Sequence, residues 1–180
     1  MDDRTYTTAP HAQRGLTLIE CLVVIAILAI LMAIGPGSFS ALLAANRLGS
    51  TQTELRALLA HARMEALARN SRVTVCRSHD GVQCAGTSRV GQQRWQGALQ
   101  FVDQNQDRRV GAGESVAYAV RFHPAVSAVW NRGDSLVYQA DGTARGGSNG
   151  TFVLQSSSSE VEHRLVVSLL GRVRTEVVAP

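Results

Sequence analysis

Two arginines near the C-terminus, Arg172 and Arg174, stand two positions apart behind Gly171. On a β-strand, side chains at i and i+2 share a face about 6.6 Å apart. Two guanidinium groups so placed can grip neighbouring phosphates of one nucleic-acid backbone. The same pair can instead serve a surface hairpin in which the arginines meet Glu160, Glu162 or Glu176. Spacing alone leaves both readings open.

A second constellation opens the chain. Residues 1–15 are polar, carry Arg4 and Arg14, and end in Gly15; residues 16–34 then hold a single charge, Glu20, and neither proline nor glycine. As a helix this stretch spans about 28 Å, close to the hydrocarbon thickness of a bilayer. An ordinary secretory signal is cut after its apolar stretch, whereas the processing mark here, Gly15, precedes it. Cleavage at Gly15 leaves the apolar segment on the mature chain. Arginines ahead of the span hold the leader in the cytoplasm and send the C-terminal part outward. Glu20 is the oddity: a carboxylate well inside an apolar helix costs a few kcal/mol or more, so an intramembrane acid points to function by default. A freed amine at Leu16, on the same or a neighbouring subunit, is its natural partner.

The remaining candidates are weaker. Cys21 lies in the apolar run and reads as a small apolar filler. Cys76 and Cys84 sit near each other later in the chain, and in an oxidising compartment they are expected to form a disulfide. Closing so short a loop stabilises a fold by about 2–3 kcal/mol. Asp103, Asn105, Asp107 and Glu114 imitate the oxygen ligands of a calcium loop, but Arg108 replaces the glycine of the sharp turn. A solvated turn between strands is the expectation there. His11, His61, His79, His123 and His163 show no zinc-like spacing, and no nucleophile motif or phosphate-cradling glycine loop is present. The sequence therefore calls for no catalytic residue, no metal and no cofactor, and the chain is expected not to be an enzyme.

These residues need elements to hold them. The 180 residues suit one modest domain plus accessory segments, and 45% apolar composition allows a packed core. Net charge is +4, and every basic residue is arginine; a polyanion partner and mere codon composition both fit that. Gly35-Pro36-Gly37 predicts a kink or brief unwinding. Helical pattern resumes over 38–70, where Leu48, Leu55, Leu59, Ala62 and Ala66 draw one apolar stripe. Arg47, Arg56, Arg63 and Arg69 fall mostly off it and read as a solvated face. Beyond Asn70-Ser71 the texture changes to short strands over 72–76, 98–102, 115–121, 135–139, 151–155, 165–169 and 173–178. A helix followed by a run of strands is an α+β arrangement with antiparallel sheet. The predicted organisation is a leader over 1–15, a transmembrane helix over 16–34, an amphipathic helix over 38–70 and a β-rich domain over 71–180.

Gly15, Leu16 and Glu20, with Thr17-Leu18-Ile19 between them, resemble the type IV prepilin motif. That resemblance implies cleavage after Gly15 and N-methylation of Leu16 by a prepilin peptidase, with Glu20 aiding register as subunits enter a filament. Leu16 departs from the usual phenylalanine. Over most of the mature chain the layout also resembles the GspH/FimT group of minor pilins and pseudopilins. The carrying residues are Leu67-Ala68-Arg69-Asn70 into Val73-Thr74-Val75-Cys76, Trp95-Gln96-Gly97 with Phe101-Val102-Asp103, Tyr138-Gln139-Ala140-Asp141-Gly142-Thr143, and the closing Gly-Arg-x-Arg. The resemblance implies a type IV pilin-like fold, a long N-terminal helix packed on an antiparallel sheet domain. It also implies an inner-membrane subunit with a single span and a periplasmic C-terminal domain, assembling with other pilins. In FimT-type members the terminal motif binds DNA during natural transformation, and that role falls here on Gly171, Arg172 and Arg174. The alternative is a structural minor pseudopilin of type II secretion, or a pilus-initiation subunit, without DNA contact.

Overall fold

The computed structural model of the protein describes residues 15, 17–157 and 161–178, the side chains of 33–38 excepted. Internal contacts divide the chain into two compact units, Met1–Phe39 and Ser40–Pro180. The helix α1 (Leu18–Arg69) contributes to both.

In the first unit α1 begins behind Thr17, whose Oγ1 accepts the backbone N–H of Glu20 at 3.3 Å. Thr17 is thus the N-cap and Glu20 the third helical residue, the threonine–glutamate spacing of a capping box. The partial positive charge of a helix N-terminus favours a carboxylate there. Glu20 therefore lies in the first turn, not well inside the helix as the sequence pattern predicts. The leader residues 1–14 and Leu16, the expected methylation position, lie outside the described residues. From Leu18 to Met32 every side chain is exposed. Among the described residues no helix is long and apolar enough to cross a membrane; the expected span over 16–34 includes Leu16 and the side chains of 33 and 34, which are not among them. The predicted unwinding at Gly35-Pro36-Gly37 does not occur, because α1 runs through it. Proline removes one donor from the ladder, and helix-forming sequence on both sides keeps the rest.

In the second unit α1 lays its stripe into the core. Leu48, Leu55, Leu59, Ala62 and Ala66 are all buried, joined by Leu58. The strands are β1 (Val73–Arg77), β2 (Gln93–Trp95), β3 (Gly97–Val102), β4 (Val116–Arg121), β5 (Val126–Trp130), β6 (Ser135–Tyr138), β7 (Gly150–Ser156), β8 (Glu162–Val167) and β9 (Val173–Val178). They form a four-stranded sheet in the order β4-β3-β1-β6 and a five-stranded sheet in the order β2-β5-β7-β8-β9. Every pairing is antiparallel. Helix stripe and residues of both sheets share one core, within which Phe152 stacks on Trp130 at 4.3 Å and meets Trp95 edge-on at 5.0 Å.

Two strands escape the sequence pattern. β2 has three residues, two of them Gln93 and Arg94, and β5 follows Pro124 and carries Ser127 and Ala128; pairing and burial of alternate residues, not propensity, make them strands. β8 begins at Glu162, three residues before the hydrophobic run, through its pairing with β7 and β9, and it stops at Val167 because Ser168 to Gly171 form a turn. Cys76 on β1 is bonded to Cys84, and with Leu99 and Phe101 it forms a small second core.

Candidate nucleic-acid interface

The five-stranded sheet ends in the β8–β9 hairpin, and β9 is its edge. The hairpin closes over residues 168–172, beyond the Val167–Val173 pair. Ser168 organises the turn: its N–H donates to the Arg172 carbonyl at 3.0 Å, its carbonyl accepts the Gly171 N–H at 2.9 Å, and its Oγ accepts the Arg172 N–H at 3.2 Å. Leu169, expected to end the strand, and Leu170 are exposed at the turn.

Gly171 has φ +73°, a left-handed conformation that disfavours any side chain. It also packs closely: an added Cβ would lie 2.0 Å from the Gly142 carbonyl oxygen, 3.1 Å from the Tyr138 ring and 3.2 Å from Arg63 Nε. The Arg63 Nε–H donates to the same Gly142 carbonyl at 3.0 Å, and the Ala144 N–H donates to the Leu169 carbonyl at 3.0 Å. The hairpin turn is thereby pinned to the loop after β6 and to α1. Asp141 shapes that loop; hydrogen bonds from the Thr143 hydroxyl and N–H hold its carboxyl below the usual carboxylate range.

Arg172, just outside β9, and Arg174, within it, are both exposed. Alternation along the strand puts them on one face. Arg174 Nε lies 3.1 Å from Glu176 Oε1, with the arginine side chain 73% exposed; so exposed a pair contributes about 1 kcal/mol or less. Across the hairpin Arg164 faces Glu176 and is itself paired with Glu162. The Arg164 guanidinium holds the Glu162 carboxyl below its ordinary range. Glu160 is outside the described residues. The face thus offers phosphate three guanidinium groups, from Arg164, Arg172 and Arg174, tempered by two carboxylates. The hydrophobic pattern alone leaves Arg164 outside its strand; pairing with β9 carries β8 back to Glu162 and puts Arg164 opposite Glu176. Arg63, read as part of a solvated face, is half-buried and holds the hairpin in place.

The calcium-like loop uses its own acids. Asp103 is buried and its Oδ2 accepts from the Thr74 hydroxyl at 2.7 Å and the Arg108 N–H at 3.2 Å. Glu114 accepts the N–H groups of Gln104 and Gly111 at 2.8 and 2.9 Å. Among the described residues no group of three or more His, Cys, Asp or Glu is placed to hold a metal ion.

Comparisons with known proteins extend these observations. The GspH family, described as type II transport protein GspH, matches residues 51–171, and the prokaryotic N-terminal methylation motif matches residues 10–35. The chain is 34% identical to the pilin-like protein PilA1 of Thermus thermophilus, over 91% of this chain and 99% of that one. Its fold is similar to that of the type IV minor pilin FimU of Pseudomonas aeruginosa, with a TM-score of 0.50 and 23% identity over 73% of this chain and 89% of the other.

Proposed function

Since the chain belongs to the GspH family and carries the prokaryotic methylation motif ahead of the family region, we propose that this pilin-like subunit binds DNA through its β8–β9 hairpin, in service of DNA uptake for natural transformation. The observation that carries the reading is the pairing of Arg172 and Arg174 on the exposed face of an edge hairpin whose turn is held by Gly171. Guanidinium forks suit phosphate oxygens, and phosphate contacts position a protein on the backbone without reading sequence.

The N-terminal half of the reading is a prepilin route. A prepilin peptidase cuts after Gly15 and methylates Leu16, and Glu20 aids assembly with neighbouring pilins. The apolar run over 16–34 anchors the subunit in the inner membrane by one span, with the later domain in the periplasm until it joins a pilus. The matched methylation motif and an apolar run whose one charge is Glu20 support this. An exported domain also suits the Cys76–Cys84 bond.

One observation favours a second reading, a structural pseudopilin or pilus-initiation subunit: Arg174 and Arg164 each already have a glutamate partner. The two are separated by deletion in the host. Loss of transformation with intact exoprotein export supports DNA uptake; the reverse phenotype supports the structural reading. In parallel, a gel-shift titration of the detergent-purified full chain with duplex DNA is expected to show binding that the Arg172→Ala/Arg174→Ala variant loses.

A further inference from the structure

A basic concavity of about 380 Å³ lies in the second unit, well away from the hairpin turn. Its walls come from both sheets: His79 follows β1, Arg94 and Trp95 belong to β2, Arg121 ends β4, and Phe122 and His123 lead into β5. Strand registers place it. Val126, at its edge, pairs with Ser156, at the end of β7 where β8 starts. The hairpin turn follows Val167, which pairs with Gly150 at the other end of β7. Seven residues of strand separate the two ends by about 20 Å.

Three of the polar side chains in this concavity, Arg121, His123 and His79, are held by hydrogen bonds. Arg121 Nη2 donates to the His79 carbonyl at 3.3 Å, which holds the guanidinium over the end of β1. His123 Nδ1 accepts the Ala125 N–H at 3.1 Å; that nitrogen carries no proton, so the ring proton is on Nε2, a donor even in the neutral ring. His79 Nδ1 meets Gln96 Oε1 at 2.7 Å, setting that ring's orientation. Among the described residues no carboxylate lines the cavity. Among the described residues neither Arg94 nor Arg121 has an acidic partner. Asp80, in the adjoining loop, is turned to its own backbone, accepting the N–H groups of Val82 and Gln83. Beneath the basic rim the floor is apolar, with Trp95 and Phe122 buried.

We infer that this concavity binds a nucleoside monophosphate unit, either as a free nucleotide or as the phosphorylated end of a nucleic-acid strand. Two guanidinium forks and an imidazole N–H suit a dianionic phosphate monoester. The apolar floor suits a flat base rather than a second charge. The volume sits at the small end of ligand sites, which fits a mononucleotide and not a protein segment. The inference does not depend on the hairpin arginines.

The test is calorimetric titration of the full chain in detergent with AMP, adenosine and inorganic phosphate. AMP is expected to bind saturably, with adenosine and phosphate each at least about tenfold weaker. Arg94→Ala/Arg121→Ala should weaken AMP about tenfold or more, while Arg172→Ala/Arg174→Ala leaves it unchanged. Arg94→Ala alone, which removes an exposed side chain, guards against a folding defect and should weaken AMP in the same direction. Comparing 5′-phosphorylated with 5′-hydroxyl oligothymidylate in the hairpin double variant distinguishes the sources: a preference for the phosphorylated strand over AMP assigns a strand end, and AMP binding as tightly assigns the free nucleotide. Absence of saturable AMP binding, AMP binding untouched by the cavity variants, or phosphate binding as well as AMP would overturn the inference.

Discussion

A methyl group on Gly171 would lie 2.0 Å from the carbonyl oxygen of Gly142. That contact joins the hairpin bearing the arginine pair to the loop after β6, and the Arg63 hydrogen bond to the same carbonyl joins both to the helix. Gly171→Ala must move backbone as well as adopt a left-handed φ. It is expected to cost about 2–4 kcal/mol. Denaturant unfolding followed by the fluorescence of the two buried tryptophans, Trp95 and Trp130, reads this directly; a cost under about 1 kcal/mol would mean that the turn relaxes freely.

Glu176 lies 3.1 Å from Arg174 Nε, so in the proposed DNA contact it competes with phosphate for that guanidinium. Glu176→Gln removes a negative charge from the face proposed to bind DNA and frees the guanidinium. Exposed pairs are worth about 1 kcal/mol at most, so DNA affinity at low salt should rise by up to about fivefold. Weaker binding in this variant would show that Glu176 positions Arg174 and does not compete for it.

The Cys76–Cys84 bond closes a short loop beside the second small core. Cys76→Ser/Cys84→Ser is expected to lower stability by about 2–3 kcal/mol, and reductant should lower the wild-type chain by the same amount while leaving the variant unmoved.

Asp80 supplies a pH-dependent contribution. Hydrogen bonds from the Gln83 and Val82 N–H groups, with one from the Ser78 hydroxyl, lower its carboxyl from the ordinary 3.8 to about 2. A folded value below the unfolded one stabilises the fold in full above about pH 4, and that stabilisation disappears as pH falls toward 2. Asp80→Asn should therefore unfold at lower urea than wild type at pH 6, and the gap should close by pH 2. A gap that persists at pH 2 would trace the effect to lost geometry and not to charge.

Much of this architecture is legible in residue patterns, and what escapes them has a physical cause. Leu48, Leu55, Leu59, Ala62 and Ala66 are buried as their spacing predicts, because a helical stripe needs only local periodicity. β9 and the arginine pair are equally plain, since alternation alone puts Arg172 and Arg174 on one face. β2 and β5 are not, because Gln93, Arg94 and Ser127 become strand residues only through partners distant in sequence. Arg63 looks like any solvated helix arginine until a loop from beyond β6 brings the Gly142 carbonyl to it. The basic concavity is invisible for the same reason: His79, Arg94, Arg121 and His123 share no motif and meet through the packing of two sheets. Glu20 teaches the converse lesson, since a threonine three residues earlier places it in a cap.

The most direct test of the hairpin account is the salt dependence of DNA affinity. With full-length wild type and Arg172→Ala/Arg174→Ala in the same detergent, log affinity is measured against log salt concentration on duplexes of unrelated sequence. Removing two phosphate contacts should flatten the slope by roughly two units and weaken every sequence about equally. An unchanged slope, or a loss confined to one sequence, would contradict the proposal that these two arginines hold the DNA backbone.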